Sequence, residues 1–245
     1  MDTIAIFCLL LIFVAFLYAA VGHGGASGYL ALMAIFGFSQ ELMKPTALLL
    51  NLFVSLIAFV QYHRSGYFNL KVFLPLAIAS VPMAFAGGML EVDDTLYKRI
   101  LGLLLFIPIA RFLFSDDKAA TGHREPDIFT SLIIGSSIGF LSGLIGIGGG
   151  ILLSPLLLLL GWTDQKQTAA ISAPFIFVNS LSGLGGQLVN GMVISSDMIL
   201  FASLASMGGL AGAWLGAKRL DQKVIRMLLV GVLLLAAIKL LLTRA

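Results

Sequence analysis

Charged residues are scarce in this chain of 245 residues: only 11% are Asp, Glu, Lys or Arg, where a soluble globular domain carries about a quarter. No stretch is long and polar enough to form a separate soluble domain, and the longest polar segment, Ser115–Asp127, falls at the midpoint. The single cysteine, Cys8, excludes an internal disulfide and a multi-cysteine metal site. Three scattered histidines do not make a metal centre either. A formal net charge of +3 is too small and too dispersed for nucleic-acid binding. No Lys or Arg precedes Lys44, so the basic n-region of a signal peptide is missing and Ile4–Val21 reads as a retained first helix. No Cys–His, Ser–His–Asp or paired-carboxylate constellation appears, which argues against an enzyme.

What the chain does have is apolar length. Hydrophobic residues make up 59% of it, in recurring runs of about 20, the signature of a polytopic all-α membrane protein. Ten segments are expected: Ile4–Val21, Ala26–Phe38, Lys44 to Tyr62, Leu70–Leu90, Leu96–Phe114, Ile128–Ile145, Ile151–Leu160, Gln165–Leu188, Met198–Ala217 and Val224–Thr243. The second and seventh are too short to cross the ~30 Å hydrocarbon layer alone at about 1.5 Å per residue. Residues 1–114 form one half and 128–245 the other, joined by the 115–127 linker.

The halves repeat. A shift of 124 residues carries Phe16-Leu17 onto Phe140-Leu141 and Gly24-Gly25 onto Gly148-Gly149. Further along, Ala86-Gly87 falls on Ala211-Gly212 and Arg99-Ile100-Leu101 on Arg226-Met227-Leu228. Basic residues gather at Arg64 and Lys71 and again at Lys218, Arg219, Lys223 and Arg226, whereas Asn190–Asp197 has none. By the positive-inside rule this pattern favours two inverted repeats of about five helical segments each. The alternative is eight spans in parallel repeats, with the two short segments re-entrant.

A glycine break precedes each short segment: Gly22-His23-Gly24-Gly25 and Gly146-Ile147-Gly148-Gly149-Gly150. Free backbone groups at membrane depth are tolerated only inside protein or beside a wet cavity. A helix beginning there presents unpaired N–H groups and the positive end of its dipole, which bind anions without a buried Lys or Arg. The bland alternative is that these glycines only let helices pack closely. The second break lacks the G-x-G-x-x-G spacing and βαβ context of a dinucleotide loop. Segment 8 carries a polar stripe of Thr168, Ser172, Asn179, Gly183 and Gln187, with Ser182 beside it and Pro174 in its middle; Asn51 and Ser55 form a thinner counterpart on segment 3. Hydroxyls and amides suit a reversibly bound oxyanion, although they also serve as interhelical glue. The Gly135/Gly139/Gly143, Gly208/Gly212/Gly216 and Ser80/Ala84/Gly88 ladders read as packing faces. Arg111 and Lys239 lie near segment ends, where snorkelling is the default. No buried carboxylate offers a proton-coupling site; His23, inside the first break, is either a protonation candidate or a polar cap on the first helix.

The run from Gly146 to Pro155 resembles the G-x-G-G-G-x-x-x-x-P signature of the sulfite exporter TauE/SafE family, and Gln167–Ser172, Asn179–Gly183 and Asn190-Gly191 match its pattern as well. The first half departs from it, with Ala26 where the second break has Gly150 and Ala31 where Pro155 would stand. The resemblance implies a multi-pass transporter in the cytoplasmic membrane that moves a small sulfur-containing anion such as sulfite or an organosulfonate, often outward. The expected mechanism is alternating access around the paired breaks; the alternative is an anion channel with the same pore. Expected partners are the small anionic substrate and the lipid bilayer, with no nucleic acid and no cofactor or metal; a homo-oligomer and a coupling ion such as a proton stay open. The expected substrate-binding residues are Gly22, His23, Gly24, Gly25, Asn51, Ser55, Gly146, Gly148, Gly149, Gly150, Ser172, Asn179, Ser182 and Gln187.

Overall fold

The structure is a computed structural model that describes residues 3–20, 24–64, 66–114, 124–219 and 222–242. The described residues are helical, in the order α1 (Thr3–Ala20), α2 (Ala26–Phe36), α3 (Gln40–Arg64), α4 (Leu70–Met89), α5 (Asp94–Leu104), α6 (Phe106–Phe114), α7 (Ile128–Ile145), α8 (Gly150–Leu159), α9 (Gln165–Val189), α10 (Ser196–Arg219) and α11 (Gln222–Leu242). This is the expected all-α polytopic architecture. Among the described residues, four spans, within α3, α4, α7 and α9, are long and apolar enough to cross a membrane. Outward-facing side chains such as Ile78 (61% exposed), Leu103 (61%) and Leu235 (65%) are apolar, as a lipid-facing surface requires.

Two segments differ from the sequence reading by more than two residues at an end. The fifth segment is not one helix: α5 ends at Leu104 and α6 begins at Phe106. Pro108 is the cause, since it has no N–H for the Leu104 carbonyl and its ring crowds that oxygen. The third segment begins at Gln40, not Lys44, because the Ser39 carbonyl already accepts from the Leu42 and Met43 N–H groups (3.1 and 2.9 Å). Pro45 therefore sits inside α3.

Glycine brings the helices together. Along α7, a Cβ at Gly135, Gly139 or Gly143 would strike the backbone carbonyl of Leu76, Ser80 or Ala84 on α4. Along α10, Gly208 and Gly212 meet the carbonyls of Ile12 and Phe16 on α1 in the same way. Between membrane helices there is no water-driven attraction, so such close backbone contact supplies the van der Waals stabilisation. These two faces, α4–α7 and α1–α10, exchange under the repeat. Both pairs run parallel, because the contact positions advance together along each pair.

The equivalent helices α3 and α9, by contrast, run antiparallel. Lys44 and Gln187 line one cavity, Leu48 approaches Gly183 one turn further on, and Asn51 and Ser180 meet at Gly148. The helix ends sort accordingly. At one end Gln40 donates to the Val92 carbonyl (2.6 Å) and Asn190 to Met89 (2.9 Å). At the other, Lys166 reaches the Tyr67 hydroxyl (3.2 Å) and the Arg124 N–H the Gly161 carbonyl (2.7 Å).

Candidate functional site

Four helices here begin on an Asn or Asp side chain. Asn69, Asp93, Asp127 and Asp164 accept N–H groups at the starts of α4, α5, α7 and α9. The short helices α2 and α8 do not. Their N-caps are Gly25 (φ 76°, ψ −11°) and Gly149 (φ 79°, ψ −18°), nearly the same left-handed conformation in the two halves, and neither helix has a side-chain cap. Only glycine adopts that conformation cheaply. The first-turn N–H groups of both helices are left without intrahelical acceptors at the positive dipole end. Gly22 and His23 lie outside the described residues.

At the second break, Gly148 faces a buried polar pocket. A methyl on its Cα would fall 2.5 Å from Asn51 Nδ2, 3.0 Å from Ser180 Oγ and 3.0 Å from Ile176 Cγ2. Asn51 is 0% exposed and neither of its amide atoms has a hydrogen-bond partner. The Ser180 hydroxyl is also buried without one. Asn179 donates to the Phe175 carbonyl (2.8 Å), leaving its own Oδ1 unpartnered. Buried polar atoms are nearly always paired, so a cluster of orphans at an uncapped helix start makes this the candidate site. Among the described residues no charged side chain is fully buried and no group of His, Cys, Asp or Glu could hold a metal. The pocket is thus electrically neutral apart from the helix dipole.

The other expected site residues are distributed around this pocket. The Ser172 hydroxyl pairs with Ser154 (2.8 Å), which donates to the Gly150 carbonyl (2.8 Å), so Ser172 ties α9 to the first turn of α8. Ser182 faces away and donates to the Val81 carbonyl of α4. Ser55, one turn beyond Asn51, is buried with an unpartnered hydroxyl. Gly146 closes α7 (φ 90°), its N–H on the Ser142 carbonyl (2.8 Å) and its Cα against the Lys44 backbone. Tyr97 donates to the last α7 carbonyl, that of Ile145 (2.9 Å). Gly24 and Gly150 both abut Ile176, and Gly25 lies under the hydroxyl of Tyr29, which is buried and unpartnered. Gln187, with Nε2 unpartnered, opens onto a cavity of about 630 Å³ shared with Gln40, Lys44, Glu91 and Asn190. Lys44 there caps α4, donating to the Gly88 and Leu90 carbonyls at 3.1 Å.

Two pocket residues, Ile176 and Ser180, were absent from the expected set, as was Tyr29 beside Gly25 at the first break. The polar stripe through Asn179 and Gly183 lies about 60° around α9 from the Ile176–Ser180 edge that faces Gly148. The signals for Ser180 were its adjacency to Asn179 and its place within the Asn179–Gly183 match to the family pattern. An apolar residue such as Ile176 carries no sequence mark of a site.

Residues 7–240 match the family model described as Sulfite exporter TauE/SafE. The chain is 36% identical to a probable membrane transporter protein of Sinorhizobium fredii, covering 98% of this chain and all of that one. It is 26% identical to a probable membrane transporter protein of Bacillus subtilis over 94% of this chain and 96% of that one. A sulfite exporter TauE/SafE family protein of Arabidopsis thaliana is 32% identical over 40% of this chain and 21% of its own length. No solved structure matches the chain.

Proposed function

The chain belongs to the sulfite exporter TauE/SafE family of membrane transporters, and we propose that it is a secondary transporter carrying a small sulfur-containing anion, such as sulfite or an organosulfonate, outward across the cytoplasmic membrane. The observation that carries this reading is the fully buried, wholly unpartnered Asn51 carboxamide beside Gly148 at the uncapped start of α8. An oxyanion there would accept from the amide, the Ser180 hydroxyl and the first-turn N–H groups, and the helix dipole would favour its charge. With no fixed cation among the described residues of the pocket, the ligand can also leave. The organosulfur identity rests on the family's name alone; the pocket chemistry selects for an anion.

Alternating access follows from two inverted repeats. The antiparallel course of α3 and α9, which are equivalents under the repeat, supports inversion, as does the sharing of one cavity by the α4–α5 and α9–α10 connections. In that topology the basic Arg64 and Lys71 end is cytoplasmic, and the cavity at Gln187 opens outside, as expected of an outward-facing state. Substrate would pass between the cavity and the Asn51 pocket along the α3–α9 seam.

Purified protein in proteoliposomes preloaded with sulfite, thiosulfate or sulfoacetate tests this. Saturable efflux with counterflow is expected for at least one of them. Efflux without saturation or counterflow would indicate a channel, and no flux of any of them would remove the sulfur-anion assignment.

A further inference from the structure

One side chain touches both glycine breaks. Ile176, two residues after Pro174 on α9, is 7% exposed. A methyl on Gly24 would fall 2.8 Å from its Cδ1, and a methyl on Gly148 3.0 Å from its Cγ2; one on Gly150 would overlap its Cδ1 and Cγ1. Three glycines from both halves of the chain therefore close around one branched apolar group. Ordinary small-residue packing in this protein looks different: the ladder glycines of α7 and α10 meet backbone carbonyls of a neighbouring helix. Here the glycines meet a side chain: its Cδ1 lies against Gly24 and Gly150, and its Cγ2 shares the space over Gly148 with the unpartnered Asn51 and Ser180 groups.

We propose that Ile176 is the apolar barrier of the permeation path, closing the passage between the first break and the Asn51 pocket in this conformation. The proposal rests on the transport reading above. A hydrophobic constriction blocks ions by excluding water, without needing a charge. The β-branched side chain has one strongly preferred χ1 in a helix, which keeps the plug in place. The cavity side has a counterpart: Leu48 stands three residues before Asn51 as Ile176 stands three before Asn179, and it is 0% exposed against Gly183. The Asn51 pocket is thus bracketed by an aliphatic group on each side.

The test uses chloride as the probe, so it does not depend on the identity of the substrate. Full-length protein is reconstituted in liposomes holding a halide-quenched dye, and passive chloride entry is measured. Ile176→Thr and Ile176→Val have the same shape but differ in one hydroxyl, so a hydrated barrier is separated from a merely smaller one. We expect Ile176→Thr and Ile176→Ala to raise the leak at least about tenfold, Ile176→Val to stay within about twofold of wild type, and Leu76→Ala, a cavity in the α4–α7 face, to match wild type. Equal leaks from the Thr and Val variants, or none from Thr and Ala in protein that reconstitutes as wild type does, would overturn the barrier. So would a leak from Leu76→Ala as large as that from Ile176→Ala. Absence of sulfur-anion transport by the wild type would sink the substrate reading and leave this readout unaffected.

Discussion

The carboxamide of Asn51 on α3 lies against the Cα of Gly148, close enough that a methyl there would be 2.5 Å from its nitrogen, yet neither amide atom finds a hydrogen-bond partner. A polar group buried without a partner costs about 1–3 kcal/mol. That cost is the basis of the first prediction. Asn51→Leu should stabilise the folded protein, by up to about 1–3 kcal/mol, while eliminating substrate binding. Asn51→Ala should weaken binding about tenfold, the loss of one hydrogen bond. Melting in detergent and thermal-shift titration with sulfite measure the two effects separately. A destabilised Asn51→Leu protein would mean that the amide has a structural partner.

Gly148 should be intolerant in a way that Gly66 is not. Both have positive φ, 70° and 75°, but space around Gly66 is empty to 4 Å. Ala at either position strains the backbone by about 1–2 kcal/mol. Only Gly148→Ala also puts a methyl into the Asn51–Ser180 pocket. We expect Gly148→Ala to abolish flux in proteoliposomes and Gly66→Ala to retain it.

Helix packing makes its own contrast. A Cβ at Gly143 would collide with the Ala84 carbonyl, whereas one at Gly185 would make ordinary contact with the Phe85 ring at 3.7 Å. Gly143→Ala should therefore cost about 1–3 kcal/mol, since backbone must move. Gly185→Ala should be neutral or slightly stabilising, because alanine is the better helix former. Midpoints of thermal unfolding report the difference.

Inversion of the repeats has a direct topological consequence. In a Cys8→Ser background, cysteines replacing Tyr67 and Val193 should label from opposite sides of the membrane, and cysteines replacing Leu90 and Val193 from the same side. Val193 is 79% exposed and Leu90 47%, so reagent access is not limiting. Eight spans with parallel repeats require the reverse on both counts.

Asp127 caps α7 from outside the membrane span. Its carboxylate accepts the backbone N–H of Thr130 (2.8 Å), and that bond together with the Thr130 hydroxyl lowers its pKa below the ordinary value. A depressed folded pKa means that the cap's contribution is complete above the unfolded carboxylate value and is lost as pH falls through the folded one. The melting temperatures of wild type and Asp127→Ala should differ at neutral pH and converge below about pH 4. A constant difference across that range would mean that the charge does not matter to the cap.

Periodicity and composition made the helices legible. Apolar runs of sufficient length can only be helical in lipid, so segment existence followed from the residues between Thr3 and Leu242. The two errors came from proline: Pro108 broke a run whose hydropathy was continuous, and Pro45 proved compatible with a helix already nucleated at Ser39. The glycine ladders were recognisable because their spacing of four is meaningful along one helix.

The site was legible only in part. Glycine pairs repeated at a fixed shift mark breaks, because no other residue would supply Gly25 and Gly149 with their left-handed backbone so cheaply. The polar stripe of α9 named Asn179 but not which polar groups are already paired, since Ser172 and Ser182 meet their partners across helix interfaces. Residue type and spacing by themselves determined that the chain spans a membrane, repeats once and interrupts a helix in each half. Only the tertiary structure decided that Asn51 and Ser180 converge on Gly148 with no partner, and that Ile176 fills the gap between the breaks. Those relations join residues from both halves of the chain, and they depend on how each helix is rotated about its axis, which hydropathy does not encode.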